Sequence, residues 1–190
     1  MEQKHEKVKG MINLSVIKIL KEYKREIEKF LDDAKYRLAQ SPPKDKLGIE
    51  DITMVIPKVT IGCLPHQNFS LYGAPDIFFQ APYIKVGYEE ADIENDEMSI
   101  SMLIQVCCYP SETYETETAL PDNQALTDLT LFLEWLRDKI LTKQIAGAPI
   151  EGGVKIGTYN SRELTYPYAY GYVSFSVKTI KESIKKFDYR

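Results

Sequence analysis

Apolar residues recur every three or four positions near the start of the chain, and this spacing predicts a long amphipathic helix from about Met11 to Ala39. We expect the helix to end in the segment QSPPKDKLG, because proline disfavours helical backbone in the preceding residue and Pro43 cannot continue a helix. A second amphipathic helix is predicted in NQALTDLTLFLEWLRDKILTK. Its apolar stripe comprises Leu126, Leu129, Leu133, Leu136 and Ile140, with Phe132 and Trp135 beside it.

Other apolar segments are typical of β-strands. EDITMVIPKVTIGCLP is β-rich, and Pro57 makes it either two short strands or one edge strand with a break. The next segment predicts a hairpin, with a strand from Tyr83 to Glu89, an acidic turn, and a strand from about Met98 to Tyr109. The second strand becomes almost continuously apolar, so it should be a central strand buried on both faces. Two more strands are predicted towards the end of the chain.

The order of these elements is helix, strands, hairpin, helix and strands. It predicts an α+β fold, with a mostly antiparallel sheet flanked by a long N-terminal helix and one central amphipathic helix. A length of 190 residues favours a single α+β domain over 1–190. Residues 1–45 would form an N-terminal helical extension that packs on this domain or projects from it.

The last strand, in TYPYAYGYVSFSV, alternates tyrosine with small or apolar residues. Its tyrosines share one face of the strand and lie at Tyr166, Tyr168, Tyr170 and Tyr172. We expect their rings to pack under the second helix around Trp135 at one end, and their phenol groups to reach a subunit boundary or a loop at the other. Tyr168 and Tyr172 should be more than half buried, because a row of fully exposed aromatic side chains would form an apolar patch. Gly171 should mark a close approach by another group.

The formal net charge of −4 is unevenly distributed. From Val86 to Leu136 there are twelve acidic residues and no lysine or arginine, whereas both ends of the chain are lysine-rich. A solvated face would account for the acidic run. Alternatively, acidic and basic surfaces meet between copies of the chain, since complementary charges fix the register of association. In that case Glu90, Asp92 and Glu94, at the predicted hairpin tip, are interface candidates.

Composition also bears on partners and compartment. A mildly acidic chain without a dense arginine patch argues against nucleic-acid binding. No apolar run reaches the length of a membrane span, so no membrane contact is expected. The charged N-terminus MEQKHEKVKG does not have the pattern of a signal peptide, and we expect a cytoplasmic protein.

Candidate chemistry is sparse. Three cysteines, two of them adjacent at Cys107 and Cys108, lack the spacing of a zinc site and are expected to be reduced, buried thiols. Cys63 and His66 could form a nucleophile and base, but no orienting third group follows, and a loop histidine is the alternative. ADIENDE lacks the glycine and glutamate spacing of a calcium loop, and IEGGVKIGTY lacks the lysine of a phosphate loop. We therefore expect no catalytic, cofactor-binding or metal site, and no cofactor.

Four stretches between about Asp51 and Ile180 form a recognisable set: IPKVTIGCLP, the hairpin APYIKVGY…MSISMLIQVCCY, the helix DLTLFLEWLRDKIL, and YPYAYGYVSFSV. Ile145 and Gly147 form the turn after the helix. Together they resemble the tail-terminator (tail-completion) proteins of long-tailed phages and prophages of Gram-positive bacteria. The family's last strand reads Tyr-Pro-Tyr, an aromatic residue and Gly-Tyr. The matching residues here are Tyr166, Pro167, Tyr168, Tyr170, Gly171 and Tyr172.

The resemblance implies a structural virion protein without catalytic activity. Such a subunit assembles as a ring, usually a hexamer, on the last ring of tail-tube protein and presents a surface to head-completion proteins. It would occur in the host cytoplasm during assembly and then in the virion tail. The long N-terminal helix and the insertion HQNFSLYGAPDIFFQ depart from the family pattern. Two alternatives stay open: a head-tail adaptor or neck protein of the same module, and a small hydrolase using Cys63 and His66.

Overall fold

The computed structural model describes residues 13–41, 52–62, 81–94, 97–110, 124–143, 145–159 and 168–181. Within these ranges the chain forms two α-helices and eight strands. In chain order they are β1 (Asn13–Leu14), α1 (Val16–Ala34), β2 (Leu38–Ala39), β3 (Met54–Val55), β4 (Lys58–Ile61), β5 (Tyr83–Glu94), β6 (Glu97–Cys108), α2 (Gln124–Thr142), β7 (Ile150–Thr158) and β8 (Ala169–Lys181). A short 3-10 helix at Ile145–Gly147 separates α2 from β7.

The main sheet has the strand order β1-β8-β6-β5-β4, and β7 also pairs with β8. The pairs β5–β6, β6–β8 and β7–β8 are antiparallel, whereas β4–β5 and β1–β8 are parallel. The strands β2 and β3 form a separate antiparallel pair. Pro57 falls between β3 and β4, so the β-rich run forms two short strands. The predicted α+β fold with a mostly antiparallel sheet is confirmed.

The first helix is shorter than predicted, because it ends at Ala34 rather than near Ala39. Lys35 adopts a left-handed conformation with φ 49°, and the amide of Tyr36 donates to the carbonyl oxygen of Leu31 at 3.0 Å. This backbone motif closes the last turn of a helix and directs the chain away from its axis. The helix therefore ends before the proline segment that the sequence pattern suggested.

Both helices pack on the same face of the sheet. The rings of Tyr23 in α1 and Phe175 in β8 have centroids 5.3 Å apart. Gly171, on the same face of β8, lies against Leu129 and Leu133 of α2. This arrangement places one continuous apolar core between the helices and the sheet. The buried residues of α1 are Ile19, Leu20, Tyr23, Ile27 and Leu31, and those of α2 are Ala125, Leu129, Phe132, Leu133, Leu136 and Ile140.

The hairpin differs from its prediction in two respects. First, β5 continues to Glu94, so the acidic residues predicted for a turn lie on a strand. Second, β6 is central but not fully buried on both faces. Its even-numbered residues from Met98 to Cys108 are buried, whereas most odd-numbered ones are only partly buried. The helices cover the even-numbered face alone, and this accounts for the difference.

Candidate functional site

The side of the sheet opposite the helices carries the predicted interface residues, and we call it the second face. It comprises the odd-numbered residues of β6 and the even-numbered residues of β8. In the register of the strands, Tyr170 of β8 lies opposite Cys107 of β6, which lies opposite Tyr83 of β5. Towards the other end of the same face, Glu90 pairs with Ser101. All six described candidates lie on this face: Tyr168, Tyr170, Tyr172, Glu90, Asp92 and Glu94. Tyr166 lies outside the described residues.

A β-bulge places the three acidic candidates on this face. The β5–β6 register shifts between Tyr88 and Glu90, leaving Glu89 as the extra residue. Side chains alternate along a strand, so one extra residue exchanges the faces of everything that follows. Beyond the bulge, Ala91 and Ile93 therefore point to the helix side, and the carboxylates of Glu90, Asp92 and Glu94 point to the second face.

One end of the second face is a small aromatic cluster. Its buried members are Ala81, Tyr83 and Cys107, with Tyr109, Tyr168 and Tyr170 packed against them. The ring centroids of Tyr109 and Tyr168 are 5.5 Å apart, and those of Tyr168 and Tyr170 are 6.4 Å apart. The hydroxyl groups of Tyr83 and Tyr170 hydrogen-bond to the Cys107 thiol. Burial nevertheless raises the pKa of this thiol to about 12, so it stays protonated at neutral pH.

Ser41, which follows β2, is hydrogen-bonded to the same cluster. The buried Ser41 hydroxyl accepts a hydrogen bond of 3.0 Å from the amide of Ala81, and the Ser41 amide donates to the Ala81 carbonyl at 2.9 Å. Tyr168 also hydrogen-bonds with the Ser41 side chain. The phenol groups of Tyr83, Tyr168 and Tyr170 are thus engaged within the subunit, as buried polar groups require.

The tyrosine row was predicted to pack under α2 near Trp135, and this prediction is wrong. Trp135 contacts Tyr36 and Phe132, with ring centroids 4.6 Å and 5.5 Å apart, on the other side of the sheet. The small residues alternating with the tyrosines face α2 instead. At Gly171 a Cβ atom would lie 2.7 Å from Cδ1 of Leu133, which confirms the predicted close approach.

Tyr172 extends the aromatic surface over β7. A Cβ atom on Gly157, its cross-strand partner, would lie 2.6 Å from the tyrosine ring, so the ring rests on this glycine and a larger residue there would displace it. The rings of Tyr172 and Tyr159 have centroids 5.3 Å apart, and Nε2 of Gln105 donates to the Tyr159 hydroxyl at 2.8 Å. Tyr168 and Tyr172 are both more than half buried, as predicted. Sequence reasoning missed Tyr159, Gln105 and Gly157, because only the strand register brings them to Tyr172.

The opposite end of the second face is acidic and exposed. Glu89, Glu90, Asp92, Glu94 and Glu97 are all exposed there. Lys178 crosses this end and pairs with Glu97 at 2.8 Å and with Glu151 at 4.0 Å. Hydrogen bonding to Glu97 raises the pKa of Lys178. At this end the same face of β6 and β8 also carries four serines, which are Ser99, Ser101, Ser174 and Ser176.

Among the described residues, β5 has a free edge along this acidic half. β4 pairs only with Tyr83 to Val86, leaving Tyr88 to Glu94 bonded to β6 on one side and to no described strand on the other. Two large apolar side chains in this half are exposed, Tyr88 at 46% and Ile93 at 52%. Charged residues on a free edge oppose unspecific strand pairing, whereas exposed apolar side chains on the same edge favour a specific contact.

Within the described ranges, no group of three or more His, Cys, Asp or Glu side chains could hold a metal ion. Cys107 and Cys108 are buried, and desolvation raises the pKa of both thiols, which disfavours nucleophilic chemistry. Cys63 and His66 lie outside the described residues. Within the described part, neither helix is long and apolar enough to cross a membrane.

Comparison with known proteins adds no assignment: no protein-family model matches this chain, and no curated protein gives a significant match.

Proposed function

We propose that this chain is a tail terminator, a structural virion protein that forms a ring on the end of a phage tail tube and joins the tube to the head. The observation that carries this proposal is the contrast between the two ends of the second face. One end is a cluster of tyrosines, and the other is an exposed acidic strand whose outer edge pairs with no described strand. The resemblance of the YPYAYGY strand to tail-terminator proteins supports it as well.

A ring requires two different patches on one subunit, because its contacts are heterologous and must close after a fixed number of copies. The described chain offers strongly unlike patches. The acidic half of β5 lies at one edge of the sheet, whereas the outward side of α1 carries several exposed lysines and Arg25. The proposal assigns these exposed charges to assembly.

The proposed function is tested by adding the purified chain to tail-tube protein of the phage or prophage that encodes it, during tube polymerisation. A tail terminator should bind one end of each tube and stop its growth, so the tubes seen by electron microscopy become shorter as the chain is added. A variant with Ile27→Asp, which should not fold, serves as the inactive control. Unchanged tube lengths together with binding to portal or head-completion proteins would instead indicate a neck protein.

A further inference from the structure

The outward side of α1 carries a regular basic stripe. Lys18, Lys21, Arg25 and Lys29 are all exposed and follow the spacing i, i+3, i+7, i+11, which places them along one line of the helix. This line lies opposite the buried stripe that contains Tyr23 and Ile27, so it points away from the sheet. Ile17 is 50% exposed beside its first turn. The stripe therefore combines four cationic side chains, of which Arg25 also pairs with Glu22 of the same helix, with one exposed apolar side chain.

The acidic half of β5 carries the charge opposite to that of the basic stripe. Its exposed carboxylates accompany two exposed apolar side chains, those of Tyr88 and Ile93. The acidic half of β5 and the basic stripe on α1 are also similar in length. Six strand steps from Tyr88 to Glu94 span about 20 Å at about 3.3 Å per residue. Eleven helix steps from Lys18 to Lys29 span about 16 Å at about 1.5 Å per residue.

We propose that the acidic half of β5, from Tyr88 to Glu94, binds the basic stripe on α1 of a second copy of this chain. Within one subunit the two surfaces cannot meet, because the stripe points away from the sheet that contains β5. A contact between them joins two unlike patches and is heterologous, as a ring requires. This inference rests on the proposed function, since it names the subunit contact of the proposed ring.

Electrostatic complementarity makes the contact testable by charge exchange. The first variant, with Glu90→Lys, Asp92→Lys and Glu94→Lys, has a basic β5 edge and a basic α1 stripe. The second, with Lys21→Glu, Arg25→Glu and Lys29→Glu, reverses three of the four cations of the stripe and so has two acidic surfaces. Each variant alone should self-associate at least about tenfold more weakly than the natural chain at low salt. Mass photometry or sedimentation velocity measures this, and circular dichroism checks that both variants are folded.

An equimolar mixture of the two variants is the decisive sample. In alternating order every contact joins a basic surface to an acidic one, so the mixture should form closed rings with an even number of subunits. A control with Asp33→Lys, Glu134→Lys and Asp138→Lys reverses as many exposed carboxylates away from the β5 edge and should assemble normally. Samples are compared with and without tail tubes, which favour ring formation.

The outcomes separate this inference from the proposed function. Assembly of the mixture but of neither variant alone supports the contact. If both variants assemble and cap tubes like the natural chain, the contact is refuted while the proposed function stands. Failure of the mixture as well as of both variants also refutes it, because complementary charges then do not restore binding. A natural chain that stays monomeric on tail tubes would refute the contact, and unchanged tube lengths would refute the proposed function separately.

Discussion

Replacing Gly171 with alanine is the sharpest test of how the tyrosine strand packs. A Cβ atom at this position would lie 2.7 Å from Cδ1 of Leu133, 2.8 Å from the carbonyl oxygen of Gly157 and 3.1 Å from Cδ2 of Leu129. The leucine side chain can rotate, but the carbonyl oxygen belongs to the backbone of the neighbouring strand and cannot move alone. Overpacking of this kind costs about 1 to 3 kcal/mol. For a chain of this length each kcal/mol lowers the melting temperature by about 2 to 4 °C.

The matched control is Gly153→Ala in β7, where nothing lies within 4 Å of the added Cβ atom. It should leave the melting temperature nearly unchanged or slightly higher, because alanine has less conformational freedom than glycine in the unfolded chain. Differential scanning calorimetry of the natural chain and both variants gives the comparison. Equal melting temperatures for Gly171→Ala and Gly153→Ala would show that β8 does not approach α2 and β7 as described.

Three further predictions concern α1. Ile27→Asp places a carboxylate at a fully buried position, so it should lower the free energy of unfolding by more than about 4 kcal/mol. Circular dichroism should then show an unfolded or aggregated protein, whereas a normal melting curve would show that α1 is not docked. Tyr23→Phe removes a buried hydroxyl with no hydrogen-bond partner in the described structure, so urea unfolding should show a gain of about 1 kcal/mol, and a loss would reveal a partner. The pKa of Glu26 is lowered from 4.5, chiefly by its hydrogen bond from Lys143. This pair therefore contributes stability that is present above about pH 4.5 and lost at lower pH. Glu26→Gln should remove that part of the pH dependence in unfolding titrations between neutral pH and about pH 3.

Sequence periodicity predicted which residues share a face, but not which face each helix covers. The stripe of α2 was largely correct, since Leu129, Leu133, Leu136 and Ile140 are buried, although Leu126 is exposed. The three described tyrosines, Tyr168, Tyr170 and Tyr172, share one face as predicted, but that face lies opposite the helices rather than under α2. The side that a helix covers is decided by contacts distant in the sequence, such as that between Gly171 and Leu133, and alternation alone does not contain them.

The location of the acidic residues shows a second limit of sequence reasoning. An acidic turn was predicted after Glu89, where the structure instead interrupts the alternation of β5. The interruption is the bulge itself, which adds one residue and reverses the faces beyond it. A bulge can be recognised only from the register of the partner strand. For the same reason the sequence does not show that the acidic half of β5 pairs with only one of the described strands.

The two ends of the second face should have different energetic roles in assembly. The tyrosine end already engages its phenol groups through Cys107 and Ser41, so a partner would gain few new hydrogen bonds there. The acidic half of β5 keeps its carboxylates exposed on the second face in the single subunit, and Tyr88 and Ile93 are exposed on its other side. Binding free energy comes from groups that change their surroundings on association, and rigid neighbours reduce the entropy cost of ordering them. We therefore expect the acidic half of β5 to determine affinity between copies, and the tyrosine cluster to hold the strands that present it.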